Sequence, residues 1–122
     1  MAGSTTYQHL PPEIADDDAE LLFEMANLNP KRTGLPFVVW ISLRGNARHD
    51  VRVKVSPGPR AVPSEMVSVA IRPNVHVIEG ELKAGDLALL GDWVDLNRDV
   101  LIRYWEGDIE FTEEAIDLLR SI

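Results

Sequence analysis

The sequence contains no cysteine. This absence excludes a disulfide-stapled fold, a thiol nucleophile, a zinc–thiolate site and an iron–sulfur cluster. No segment approaches the ~18 consecutive apolar residues of a membrane-spanning helix, and the N-terminal region lacks the basic and apolar parts of a secretory signal peptide. We therefore expect a cytoplasmic protein that does not associate with a membrane.

Sequence motifs of the common enzyme classes are also missing. The chain has no Walker motif, no G-x-G-x-x-G, no H-E-x-x-H and no G-x-S-x-G nucleophile elbow. We therefore predict no cofactor and no bound metal, and a non-enzymatic function is favoured over an enzymatic one.

The residues that are present predict one small folded domain. The 122 residues are 45% hydrophobic and 26% charged, as is typical of soluble globular chains. Pro11 and Pro12 cannot continue a helix, and the three adjacent acids Asp16–Asp18 repel one another. We expect residues 1–18 to form a mobile tail and residues 19–122 to fold as a single α+β domain.

Charge is distributed unevenly along this acidic chain, whose formal net charge is −8. Residues 1–26 and 74–122 are acidic, whereas residues 27–73 contain eight Lys and Arg against two Asp and Glu. The basic middle is either a surface for RNA or another anion, or a face that packs beside acidic parts of the same chain. The overall negative charge and the lack of an RNA-binding motif favour the second interpretation.

Hydrophobic residues alternate through the first two thirds of the chain, which predicts a sheet of short strands. In Asp50–Ser56 the valines lie on one face, and Arg52 and Lys54 lie on the other, which we expect to be solvated. The segment Ala19–Leu28 fits either a helix or a strand, and the loop that follows it favours a strand. Further strands are predicted at Phe37–Leu43, Val67–Arg72 and Val75–Ile78.

From Ala84 the hydrophobic period changes to about 3.6 residues, which predicts a helix over Ala84–Trp105. Gly107 is a suitable stop for this helix, and Thr112 is the expected N-cap of a second one. The predicted fold class is α+β: an antiparallel sheet of four to five strands covered by a long helix plus a short C-terminal helix. Trp40 is expected to face this long helix across the core.

The start of the helical half resembles a small bacterial family. Glu79-Gly80-Glu81-Leu82 precedes the predicted helix, Trp93-Val94-Asp95-Leu96-Asn97-Arg98-Asp99 leads to Leu101, and Trp105 closes the pattern. The segment is similar to a family of unknown function with a strand, E-G-E-L, a helix of the form W-x-E-L-x-R-E-x-L and a closing Trp. Members are often encoded in or near toxin–antitoxin-like gene pairs. The resemblance covers residues 75–105 and implies a meandering sheet with a long C-terminal helix.

The sequence departs from that family at one functional feature. Family members usually carry a histidine-rich strand, H-x-P-P-H-x-H, before E-G-E-L, whereas this chain has only Arg48-His49-Asp50-Val51-Arg52. Any activity that depends on those histidines therefore cannot be transferred to this protein.

Two histidines and one aspartate are the remaining candidates for catalysis. Two neighbouring strands could bring His49, His76 and Asp50 or Glu79 together as a metal or acid–base cluster. Nothing in the sequence fixes their distance, however, and the alternation around His76 points its ring toward solvent. The candidate binding residues are the basic side chains Arg44, Arg48, Arg52 and Lys54.

Three functional hypotheses follow from these observations. The first is a non-enzymatic protein-interaction module that binds another protein or a second copy of itself as a homodimer, with a toxin–antitoxin-like role as one version. The second is a metal- or phosphoester-dependent enzyme that uses His49 and His76 with Arg48 and Arg52. The third, for which the acidic net charge is unfavourable, is an RNA-binding protein that uses Arg44, Arg48, Arg52, Lys54 and Arg60.

Overall fold

A computed structural model describes residues 25–122, and the predicted tail, residues 1–18, lies outside this range together with residues 19–24. The described chain folds as a five-stranded antiparallel meander followed by helices, which confirms the predicted α+β class. Each strand pairs with the next one along the chain. The strands are β1 (Met25–Leu28), β2 (Val38–Ser42), β3 (Arg52–Ser56), β4 (Val67–Ala70) and β5 (His76–Glu79).

The ambiguous segment before the first loop ends in a strand. Met25–Leu28 pairs antiparallel with β2, with Leu28 opposite Val39. The loop between the two strands contains a one-turn helix that the sequence did not predict, α1 (Pro30–Thr33). Asn29 caps it through its side-chain oxygen, and Gly34 ends it in the left-handed conformation that glycine adopts without strain.

The long helix α2 (Ala84–Trp105) covers one face of the sheet, which we call the first face. Its bounds are those predicted from the 3.6-residue period. The valines of β3 and β4 alternate onto the first face and share a single core with the buried side of α2. The largest fully buried side chains of α2 in this core are Leu90, Trp93 and Tyr104.

The C-terminal segment is tied to both α2 and α1. The short helix α3 (Thr112–Leu118) packs against α2, and Ala115 is its fully buried residue. Asn97 of α2 bridges to the backbone of Arg120, and the Ile122 amide donates to the Thr33 carbonyl at 2.9 Å. Ile122 is thereby joined to α1.

Three local expectations are wrong. Thr112 is the first residue of α3 and not its N-cap, and its hydroxyl lies 2.7 Å from the hydroxyl of Tyr104. Lys54 exposes only 8% of its surface and Arg52 is half-buried, so the basic face of β3 is not solvated. Trp40 is opposite Lys54 in the sheet register and therefore lies on the face away from α2.

Candidate functional site

The candidate site lies where the β2–β3 connection meets the end of α2. The Arg44 amide donates to the Trp105 carbonyl at 3.0 Å, and a turn at Gly45 closes with Ala47 bonding back to Arg44. The His49 ring then stacks on the Trp105 ring, with centroids 5.4 Å apart and planes at 28°. Trp105 is buried in the core, so it gives this connection a fixed support.

A charged network forms the second wall of the site. Arg72 donates to both carboxylate oxygens of Asp50, each at 2.8 Å, and lies 3.6 Å from the Glu106 carboxylate. These bonds from Arg72, reinforced by the Val51 amide, lower the pKa of Asp50 from 3.8 to about 2. The same contact raises the pKa of Arg72. Asp50 is therefore ionised near neutral pH and neither gives nor takes a proton there.

This ion pair gives a pH-dependent prediction. Asp50 and Arg72 are partly exposed, so Asp50→Asn should lower the free energy of unfolding at pH 7 by about 1 kcal/mol. The folded pKa lies below the ordinary value of 3.8, so the stabilisation is complete above that value and is lost as the pH falls toward 2. Urea unfolding of both proteins between pH 7 and pH 2 measures the difference. Asp92→Asn is the matched control because Asp92 is exposed. A difference independent of pH would contradict the assignment.

Two arginines complete the site. Arg44 and Arg48 are exposed, and neither forms an ion pair with any residue of the range 25–122. The nearby carboxylates of Asp50 and Glu106 are already bound to Arg72. The walls enclose an open cleft of about 530 Å³, which we call the arginine cleft. It is lined by Arg44, Arg48, His49, Asp50, Arg72, Trp105 and Glu106.

The structure separates the residues that the sequence offered as candidates. Arg44, Arg48, His49 and Asp50 lie together in the arginine cleft, whereas Arg52 and Lys54 lie on the sheet itself.

The two histidines have different surroundings. His49 Nδ1 lies 2.8 Å from the Asp50 carbonyl, which can only accept, so this nitrogen carries the proton. His76 is exposed on β5, as predicted, with its Nδ1 3.0 Å from the Asn74 carbonyl. Within the described chain, no three His, Asp or Glu side chains are grouped so that they could hold a metal ion. The metal cluster considered from the sequence therefore has no support there.

Three members of the arginine cleft were not found from the sequence: Arg72, Trp105 and Glu106. The sheet register explains why Arg72 belongs to the site. Arg52 pairs with Ala70, and extending this antiparallel pairing by two residues places Asp50 opposite Arg72. The long β3–β4 connection hides this register, because its length does not determine where pairing resumes.

A larger groove lies at another place on the surface. It has a volume of about 810 Å³ and a mainly apolar lining that includes Phe37, Val77 and Leu82. Charged side chains, Glu81, Lys83 and Asp86, also line it, and no histidine does. Its lining contains no arginine and one lysine, whereas three arginines line the arginine cleft. The arginine cleft is therefore the candidate site.

Comparison of the chain with models of known protein families, with curated proteins and with solved structures finds no match. The resemblance to the E-G-E-L family stays a prediction. Among residues 25–122, no helix combines the length and the apolar character needed to cross a membrane.

Proposed function

We propose that this protein is a non-enzymatic interaction module that binds an acidic segment of a protein partner in the arginine cleft. The observation that carries the proposal is the pair of exposed arginines, Arg44 and Arg48, which have no carboxylate partner in the described chain. A guanidinium group presents several N–H donors in a plane and binds carboxylates with two parallel hydrogen bonds.

The cleft is built in advance of binding. Trp105 is anchored in the core, and Arg44 is held to it through the backbone. Arg72 offsets part of the negative charge of Asp50 and Glu106, so the two acids repel an incoming carboxylate less than they would without it. A preformed site loses little conformational entropy when its ligand binds, which favours recognition of a short segment.

A protein partner fits the charge of the chain better than RNA does. Lys54 is buried and Arg52 is half-buried, so the five basic residues considered for RNA binding do not form one exposed surface. The net charge of −8 also opposes the approach of a polyanion, whereas a short acidic segment brings few charges. A toxin–antitoxin-like pair would be one form of such an interaction and stays a prediction.

Nuclear magnetic resonance titration of the full chain with a short acetylated oligoglutamate peptide tests the proposal. The amide signals of Arg44 and Arg48 and the ring signals of His49 should shift. The double variant Arg44→Gln, Arg48→Gln should weaken binding roughly 5- to 30-fold, because each partly exposed ion pair contributes up to about 1 kcal/mol.

The matched control is the double variant Arg60→Gln, Arg103→Gln, which removes the same charge from exposed positions outside the cleft. An equal loss of affinity in both variants would show that only net charge matters and would refute the cleft. Tighter binding of an oligouridylate of equal charge at the same residues would replace the protein partner with RNA. Binding of the cleft to a second copy of the chain, detected by sedimentation, would make the partner the protein itself.

A further inference from the structure

The centre of the sheet face opposite α2 is buried although the described helices do not cover it. We call this the second face. Strand alternation and register place Val38, Trp40, Arg52, Lys54 and Ala70 on it. The buried apolar residues of α2 and α3 all belong to the core of the first face, and Val38, Trp40 and Ala70 are not part of that core.

The centre of the second face is nevertheless closed to solvent. Trp40 exposes 7% of its surface, Val38 3% and Lys54 8%. The Pro57–Val62 loop is hydrogen-bonded to Ser56, the last residue of β3. An indole ring and a lysine side chain are not buried together without apolar groups over the ring and acceptors for the charge.

Two nitrogen atoms on this face also lack acceptors among the described residues. The Trp40 Nε1 and the Arg52 Nε are both buried and have no hydrogen-bond partner. Burial lowers the pKa of Arg52, against a smaller opposing effect of the Glu79 charge. A covering segment that supplied carboxylates would therefore relieve an electrostatic cost on this face.

We propose that residues 1–24 of the same chain bind across the second face as an acidic, amphipathic intramolecular ligand. This segment carries six Asp and Glu and no Lys or Arg, which complements Arg52 and Lys54. It also carries the apolar groups that Trp40 and Val38 require. These are Leu10, Ile14, Leu21, Leu22 and Phe23.

The chain geometry allows this occupant. The segment leads directly into Met25, the first residue of the edge strand β1, and β2 and β3 are the next two strands. Strands lie ~5 Å apart and an extended chain advances ~3.3 Å per residue, so about three residues span the distance from β1 to β3. Residues 1–24 are long enough to cross the second face and return. This proposal does not depend on the arginine cleft, which lies at the end of α2.

The absence of cysteine provides a clean test on the full chain, because one introduced thiol is the sole labelling site. A nitroxide spin label on the Ala15→Cys variant should broaden the Trp40 indole signal and the amide signals of Lys54 and Ser68. The amide signals of Asp95 and Asp99, which are exposed on α2, should keep their intensity. Failure to broaden the signals of the second face would overturn the proposal.

Two controls identify the occupant and the force that holds it. In a mixture of spin-labelled chains and unlabelled, isotope-enriched chains, broadening of the second face would show a second copy as the occupant and would refute the intramolecular contact. The triple variant Asp16→Asn, Asp17→Asn, Asp18→Asn should reduce the broadening, because it removes charges that complement the face.

The matched variant Asp92→Asn, Glu113→Gln, Glu114→Gln removes the same charge from exposed helix positions and should leave the broadening unchanged. If both triple variants reduced the broadening equally, specific charge pairing on the second face would be refuted.

Discussion

Replacing Asn97 with alanine should lower the free energy of unfolding by about 2–4 kcal/mol, since it removes three hydrogen bonds and leaves partners unsatisfied. The Asn97 side chain is 1% exposed. Its Nδ2 donates to the carbonyls of Trp93 and Arg120, each at 2.9 Å, and its Oδ1 accepts from the Arg120 amide at 2.7 Å. Urea unfolding measures the loss. Hydrogen exchange should locate it at the amides of Arg120 and Ile122.

Two further variants separate hydrogen bonding from packing. Asn97→Leu keeps a side chain of similar size but leaves the Arg120 backbone groups without partners, so it should also destabilise the protein. Asn46→Ala changes an exposed turn residue and should alter stability by less than about 0.5 kcal/mol. Wild-type stability in Asn97→Leu would contradict the role assigned to these hydrogen bonds.

The fold was predictable because its hydrophobic periods are regular. A strand buries the alternating residues Val51, Val53 and Val55 on one face. A helix buries the apolar residues that recur with a 3.6-residue period in Ala84–Trp105. The one-turn helix at Pro30–Thr33 was missed, because four residues carry too little periodicity to identify it. Asn29 and Gly34 cap this helix, but neither residue by itself predicts a helix from the sequence.

Asn97 shows a limit of hydrophobic patterning. It lies four residues after Trp93 and four before Leu101, so it is on the buried side of α2 in spite of its polar side chain. The reason is the C-terminal segment, whose backbone polar groups need partners where the chain is partly buried. A sequence pattern that counts only apolar residues does not reveal such a partner.

The candidate site was predictable in part. Arg44, Arg48, His49 and Asp50 are close in sequence, but the sequence offered them in two separate sets, the arginines for binding and His49 and Asp50 for catalysis. Arg72 and Glu106 come from distant segments, and their contribution depends on the β3–β4 register and on where α2 ends. Long-range register is a property of the folded sheet. The sequence alone therefore left Asp50 open as a member of a metal or acid–base cluster, and the ion pair with Arg72 opposes an acid–base role for it.

The structure shows where the basic residues of the middle segment lie. Five of the eight basic residues in the middle segment lie at two places. Arg44, Arg48 and Arg72 line the arginine cleft, whereas Arg52 and Lys54 lie on the second face. Asp92, Asp95 and Asp99 lie exposed on α2. The two basic places differ in solvent exposure, because Arg44 and Arg48 are exposed whereas Lys54 is buried.

Replacing Trp105 with alanine should lower the free energy of unfolding by about 3–5 kcal/mol, as removal of a buried aromatic side chain does. Trp105 is 4% exposed and supports the arginine cleft through its stacking contact with His49. Loss of the ring removes core contacts and the surface on which His49 rests. Urea unfolding measures the first effect, and the ring-proton chemical shifts of His49 measure the second, since an indole ring strongly displaces the signals of a stacked neighbour.

Two aromatic variants make this expectation specific. Trp105→Phe retains part of the stacking surface and should lose less stability than Trp105→Ala. Phe111→Ala removes an aromatic ring that is 62% exposed and should change stability by less than about 0.5 kcal/mol. Unchanged His49 shifts in Trp105→Ala would contradict the stacking contact. A loss equal to that of Phe111→Ala would show that Trp105 does not anchor the cleft in the core.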